Sequence, residues 1–248
     1  MNLIKNTLLV ILTFLILLSQ PTVAQDALSE KQVEAIVRKL IDREPGLVIG
    51  AIQKFQHEQQ RAQIAPIVES YNYLLAGDKN ASFMGNPNGD VTIVEFFDYR
   101  CGYCRRHYPE IKSMVERDGN IKWVFKQYPV LDRNGEAPIS RIAAKAALAA
   151  HAQGKFAAYH DAMMTTSGKV TEESVYATLK AVGVNVATAK IFMLDKTTDR
   201  AVETGLLLGA QMKISGTPFY LVDTDFMEGA QGDDALLKII RNARAAKK

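Results

Sequence analysis

The chain has 248 residues, 48% of them apolar and 23% charged, with a formal net charge of +3. This is the composition of a globular protein, long enough for one domain with an appendage or for two small domains. Its basic residues are spread along the chain, apart from Arg105-Arg106 and the C-terminal tail, which excludes a nucleic-acid partner as the expectation.

In chain order, the first feature is an address. Lys5 precedes the uncharged apolar run Thr7 to Ser19, and Thr22 and Ala24 supply the small residues of a signal-peptidase site. Residues 1–24 therefore read as a cleavable signal peptide, with the mature chain starting at Gln25. The run is shorter than the roughly 20 residues a bilayer span needs, and an uncleaved anchor is the alternative reading. Export implies an oxidising compartment in which disulfides persist.

Residues 25–76 read as a helical arm. Ser29 and Gln32 have capping-box spacing, and Val33, Ile36, Val37, Leu40 and Ile41 follow at helical spacing until Pro45. A second segment repeats the pattern with Ile52, Phe55, Ile64, Ile67, Val68, Tyr71 and Leu74. Such an arm must bury its stripe on its own domain or on a neighbouring subunit. Self-association through residues 25–76, as a dimer or trimer, is the expectation taken here, with His57 and the nearby Glu/Gln cluster as a solvated face.

Val91 to Phe97, VTIVEFF, is dense in β-branched and aromatic residues and reads as a buried strand. The two cysteines of the chain, Cys101 and Cys104, follow in a C-x-x-C, and a helix runs from there to Asp118-Gly119. A four-residue loop gains almost nothing from a structural cross-link. A closed zinc site needs four ligands, and only His107 is adjacent, with His57, His151 and His160 scattered. No metal or cofactor is expected, and redox chemistry remains. At a strand-to-helix turn, the first amides and the positive helix end stabilise a Cys101 thiolate. Arg100, Arg105, Arg106 and His107 are expected to add positive potential.

Residues 138–212 read as a helical insertion. It comprises an alanine-rich stretch broken at Gly154, a helix opening at Thr171 with only a near-miss to a capping box, and a single helix from Val186 to Met212. His151 and His160 are taken as packing or surface residues. Gly216-Thr217-Pro218 then enters the apolar strand FYLV, where the X–Pro bond can be cis at tolerable cost and Thr217 keeps an open backbone edge. A hairpin and a helix from Asp233, with Leu236, Leu237, Ile239 and Ile240 facing the sheet, close the chain.

From about Ser82 to Ala245 the sequence resembles the DsbA-like thiol–disulfide exchange proteins of the thioredoxin superfamily. The resemblance rests on EFFDYRCGYC, on Pro109 within the following helix, and on ISGTPFYLVD more than a hundred residues later. It implies an α/β fold: a thioredoxin domain (77–248) with an inserted helical subdomain, preceded by the α-helical arm. It further implies Cys101 and Cys104 as the redox pair, with Glu95 buried beneath them as the proton shuttle for Cys104. Gly102, Tyr103, Thr217 and the cis-proline Pro218 are the residues implied to meet the substrate.

The Gly102-Tyr103 dipeptide and the threonine before the proline look more like the periplasmic isomerase DsbC than the DsbA oxidases, whereas the insertion is DsbA-like. The mixture with an oligomerising arm resembles ScsC-type proteins. The resemblance therefore implies a periplasmic disulfide isomerase, with oxidase activity as a second capacity. Its partners would be exported client proteins and a membrane redox protein that resets the pair. A DsbA-type dithiol oxidase, monomeric or dimeric, is one alternative. A periplasmic chaperone or a copper-binding protein is another, of a different class.

Overall fold

The computed structural model describes residues 28–77 and 81–247. The signal peptide read at residues 1–24 lies outside the described residues. The chain divides into two compact units, one ending at Lys54 and the other beginning at Phe55. The second unit thus takes in residues 55–76, which the sequence reading assigned to the arm.

The first unit holds α1 (Glu30–Arg43) and the start of α2 (Gly46–Asn72). At the head of α1, the Gln32 side chain accepts from the Ser29 backbone N–H at 2.8 Å, and Glu34 pairs with Arg38 one turn on at 2.7 Å. Val33, Ile36, Val37, Leu40, Ile41, Leu47, Val48, Ile49 and Ile52 are all exposed, and nothing in α1 is buried.

In the second unit, β1 (Phe83–Gly85), β2 (Val91–Phe97), β3 (Ile121–Gln127), β4 (Phe219–Val222) and β5 (Asp225–Glu228) form one sheet in the order β1-β3-β2-β4-β5. The β2–β3 pair is parallel and the remaining pairs are antiparallel. Both faces are covered, which is why β2 is buried along nearly its whole length and apolar apart from Thr92 and Glu95, with no strict alternation.

Val91, Ile93 and Phe97 point into the core beneath α3 (Gly102–Asp118), together with Trp123, Tyr220, and Leu236 and Ile240 of α9 (Asp233–Ala246). Val94 and Phe96 point the other way, to Ile64 and Leu75 from the chain before the sheet and to Leu208 and Met212 near the end of the insertion. His57 and its neighbours are not a free solvated face. His57 Nε2 lies 2.7 Å from Asp225 Oδ1 with its ring stacked on Phe226, and Gln60 donates to Glu228 at 3.1 Å. The β5 hairpin supplies partners that sequence distance hid.

The insertion comprises α4 (Ile139–Ala152), α5 (Phe156–Thr165), α6 (Glu172–Ala181), α7 (Val186–Leu194) and α8 (Lys196–Gln211). Ala143, Ala146, Ala147, Ala149 and Ala150 of α4 are buried, their small side chains allowing its neighbours close. The expected near-miss at Thr171 is a reciprocal cap: Ser174 Oγ accepts from the Thr171 N–H at 2.9 Å and Thr171 Oγ1 from the Ser174 N–H at 3.2 Å. The single helix expected from Val186 to Met212 is two, because Asp195 turns extended and its carboxylate accepts from the Thr197 N–H at 2.6 Å, ending α7 and starting α8. Gly205 lets α8 reach β3, since a Cβ there would sit 2.2 Å from the Gln127 carbonyl oxygen.

Candidate active site

Cys101 is the N-cap of α3, in extended geometry, and its sulfur faces the backbone N–H of Cys104 at 3.5 Å. The turn is held from behind by Asp98. Its carbonyl accepts from the Cys101 N–H at 2.9 Å, and its carboxylate accepts from Arg100 N–H at 2.8 Å and from Leu131 N–H at 3.1 Å. Burial raises the Asp98 carboxyl to about 6, against the pull of those N–H donors. Asp98 was passed over in the sequence, where nothing local marks it apart from the short side chain before the turn.

The two thiols differ sharply. Cys101 is 7% exposed and Cys104 is fully buried. The Cys101 thiol is brought down to about 5, chiefly by the hydrogen bond from the Cys104 thiol, then by the Thr217 side chain and the backbone N–H groups of Cys104 and Tyr103. The Cys104 thiol is pushed well up by burial, by its hydrogen bond to Cys101 and by the negative charge of Glu95.

The four basic side chains expected to assist are engaged elsewhere. Arg100 pairs with Asp132 at 3.1 Å, and Arg105 donates to the carbonyls of Thr166 and Gly168. Arg106 lies over the Tyr103 ring at 4.6 Å. His107 is buried, burial holds it toward the neutral form, and its Nδ1 lies 2.9 Å from the Tyr220 hydroxyl. The thiolate is stabilised chiefly by the Cys104 thiol, then by Thr217 and the backbone N–H groups at the helix end, not by a cationic cluster.

Glu95 is 1% exposed on the same face of β2 as Ile93 and Phe97. Burial raises its carboxyl to about 8, partly offset by the hydroxyl of Tyr220, its cross-strand partner on β4. The Thr217–Pro218 bond is cis. The Cys101 thiol donates to the Thr217 carbonyl at 3.2 Å, which places the proline segment against the reactive sulfur. Tyr103, 63% exposed, stands at the rim next to Gly102. Cys101, Cys104, Glu95, Gly102, Tyr103, Thr217 and Pro218 thus gather around one sulfur. The arrangement suits thiol–disulfide exchange, with one low thiol just reaching solvent, one high thiol fully buried behind it and a buried carboxyl raised to about 8 beneath them. His160 is fully buried among Phe97, Tyr99, Tyr108, Phe125 and Phe156, as a packing residue.

The chain is similar in sequence and fold to several known proteins. A thioredoxin-like oxidoreductase of Silicibacter pomeroyi DSS-3 is 35% identical and superposes with a TM-score of 0.65 over 70% of this chain and 97% of that one. The thiol-disulfide exchange protein alpha-DsbA2 of Wolbachia pipientis is 25% identical, with a TM-score of 0.65 over 75% and 97%. ScsC of Proteus mirabilis, as a linker-deletion mutant, shares the fold at 22% identity, with a TM-score of 0.66 over 90% and 100%.

Among curated relatives, a Na(+)/H(+) antiporter NhaA 1 of Salinispora arenicola is 24% identical over 161 residues, covering 65% of this chain and 24% of that protein. The thiol:disulfide interchange protein DsbA of Burkholderia cepacia is 38% identical over 56 residues, covering 23% of this chain and 26% of that protein. The chain thus spans about a quarter of the length of the curated relatives it matches. The family model described as Thioredoxin matches residues 78–242, and with the C-x-x-C just past the end of the central strand β2 and the Thr217–Pro218 segment against it, the chain belongs to the thioredoxin family.

Proposed function

We propose that this protein is an exported thiol:disulfide oxidoreductase of the periplasm, acting as a disulfide isomerase on client proteins and reset by a membrane redox partner. The observation that carries the chemistry is the split between the two thiols, Cys101 at about 5 and Cys104 raised by burial. In the first step, the Cys101 thiolate attacks a client disulfide, forming a mixed disulfide and releasing one client sulfur as thiolate. Attack of a client thiolate on the client sulfur of that mixed disulfide completes the isomerisation and frees Cys101. When none attacks, Glu95, once it has lost its own proton, takes that of Cys104, and the Cys104 thiolate attacks the Cys101 sulfur, closing the Cys101–Cys104 disulfide and releasing the second client thiolate.

The isomerase direction is supported by the Gly102-Tyr103 dipeptide and by the exposed apolar stripe of α1 and early α2, a surface suited to pairing copies of the chain. A second reading, dithiol oxidase, draws on one observation: a thiolate as stable as that of Cys101 favours the reduced pair and makes its disulfide oxidising.

The test is refolding of scrambled ribonuclease by the full mature chain and by a chain starting at Phe55, with sedimentation to count subunits. Residues from Phe55 belong to the domain's own compact unit, so a cut near Gly77 would strip Ile64 and Leu75 from the core. Loss of isomerisation with retained oxidation in the shortened, monomeric chain is the expected result; a full-length chain that is already monomeric would refute the arm's role. A Cys101→Ala variant that still rescued scrambled substrate would point instead to a chaperone, and copper bound more tightly than disulfides are exchanged would point to metal handling.

A further inference from the structure

Glu95 presents a proton problem. It is 1% exposed and Cys104 behind the Cys101 sulfur is fully buried, yet for each closing of the disulfide the protonated carboxyl must pass a proton to water before it can take that of Cys104. The route past Cys101 is occupied by the client during that step. A second route leads the other way. Tyr220 faces Glu95 across the β2–β4 ladder, and its hydroxyl draws the Glu95 carboxyl down against burial. The Tyr220 hydroxyl lies 2.9 Å from His107 Nδ1. His107 Nε2, on the far side of the ring, lies 3.7 Å from the carboxylate of Glu110, which is 46% exposed.

We propose that Tyr220 and His107 form a proton relay connecting buried Glu95 to solvent at Glu110. The proposal rests on the reading of Glu95 as proton acceptor for Cys104. In the oxidative half-reaction the Glu95 O–H proton passes to the Tyr220 oxygen, the Tyr220 proton passes to His107 Nδ1, and the buried Nε2 gives its proton to Glu110 as that carboxylate closes the 3.7 Å gap. One proton exits, the ionised Glu95 then takes the Cys104 proton and is again protonated, and no charge stays on the tyrosine or the ring. In the reductive half-reaction Cys104 leaves as a thiolate and is protonated by Glu95. A proton then enters at Nε2, Nδ1–H passes to Tyr220, and Tyr220 restores Glu95, returning the histidine to its first tautomer.

The surroundings suit a neutral relay. His107 is buried and held toward the neutral form, and Tyr220 is held far above the range in which it would ionise. The charged groups facing the histidine are Glu110 on α3 and Asp233 at the start of α9; those facing Glu95 and Tyr220 are Cys101 and Cys104. Asp233 and Glu110 are themselves joined, the Asp233 N–H donating to Glu110 Oε1 at 3.0 Å, which holds the Glu110 side chain near the exit.

The experiment mixes the reduced, full mature protein with glutathione disulfide at pH 7 and follows formation and resolution of the glutathione mixed disulfide by acid quench and mass spectrometry. His107→Gln keeps an acceptor for Tyr220 but cannot pass a proton, and Tyr220→Phe removes one hydroxyl. Expected for both are an unchanged first step and a resolution step slowed about ten-fold or more, partly restored in His107→Gln by added imidazole. Glu95→Gln is the control. If it slows resolution while His107→Gln and Tyr220→Phe, unfolding at the wild-type midpoint, resolve at the wild-type rate, the relay is overturned and the role of Glu95 stands. If Glu95→Gln itself resolves at the wild-type rate, the role of Glu95 falls and the relay with it. A slowing that imidazole does not relieve assigns His107 to packing and also overturns the relay; should His107→Gln fail to fold, Tyr220→Phe decides.

Discussion

Replacing Glu95 by glutamine should stabilise the protein, increasingly so as the pH rises. The Glu95 carboxyl sits at about 8 in the folded protein against an ordinary 4.5, with burial as the cause. Between those values the folded state holds a proton that the unfolded state has lost. The contribution of Glu95 is therefore most favourable below pH 4.5 and declines by about 1.4 kcal/mol for each pH unit until pH 8. At pH 7, about 2.5 pH units above the ordinary value, the cost is roughly 3 kcal/mol, and Glu95→Gln removes it because an amide does not titrate. The glutamine's own hydrogen bonds add an offset that does not vary with pH, so the slope is the diagnostic. The assay is urea unfolding of both proteins between pH 4.5 and 9, with the cysteines kept reduced. A stability difference that stays flat from pH 4.5 to 8 would refute the argument that burial holds this carboxyl protonated. A stabilised variant that exchanges disulfides slowly would mark Glu95 as a group kept at a cost to stability for its chemistry.

Other outcomes follow from the same structure. Alkylation of Cys101 by iodoacetamide should reach half its maximal rate near pH 5 while Cys104 stays unreactive, and a Cys101 midpoint above pH 8 would contradict the N-cap argument. Because its folded value is depressed, the Cys101 thiolate stabilises the reduced protein at high pH, and this stability is lost as the pH falls through about 5; the disulfide form, which has no thiol to titrate, lacks that term, as paired unfolding curves will show. Gly205→Ala pushes a methyl group into the Gln127 carbonyl oxygen and should cost about 1–3 kcal/mol in denaturant unfolding, with little change in the Cys101 titration. Arg244 pairs with Asp90 at 2.8 Å and Asp118 at 2.7 Å, tying α9 to the loops bounding β2 and α3; Arg244→Ala should cost about 1 kcal/mol, less in high salt.

Local pattern carried much of this protein. Strand β2 announces itself by its apolar density, α3 by its cap and the Gly119 that ends it, and the pair Cys101-Cys104 by its spacing at the junction. These signals survive in one dimension because neighbours in the chain make the structure: a helix's first amides are always next to its N-cap, so a thiol placed there gains them. Thr217 and Pro218 were legible for a similar reason, through the turn and the strand that follows.

Partners brought together from distant segments were not legible. The arginines and His107 beside the cysteines look like a cationic cluster in the sequence, yet Arg100 turns to Asp132, Arg105 to the loop at Thr166 and Gly168, and His107 to Tyr220. His57 reads as a solvated residue until β5 brings Asp225 and Phe226 to it. The sequence by itself determined the thiol pair at a strand-to-helix turn, because spacing along the chain suffices for that, while the carboxyl at Glu95 was marked only by the family resemblance. Only the tertiary structure decided the electrostatics of those groups: how deeply Glu95 lies, which donors hold the thiolate, and where a proton can go. Burial and cross-strand register depend on segments more than a hundred residues apart, and only packing the sheet against α3 and α9 brings them into contact.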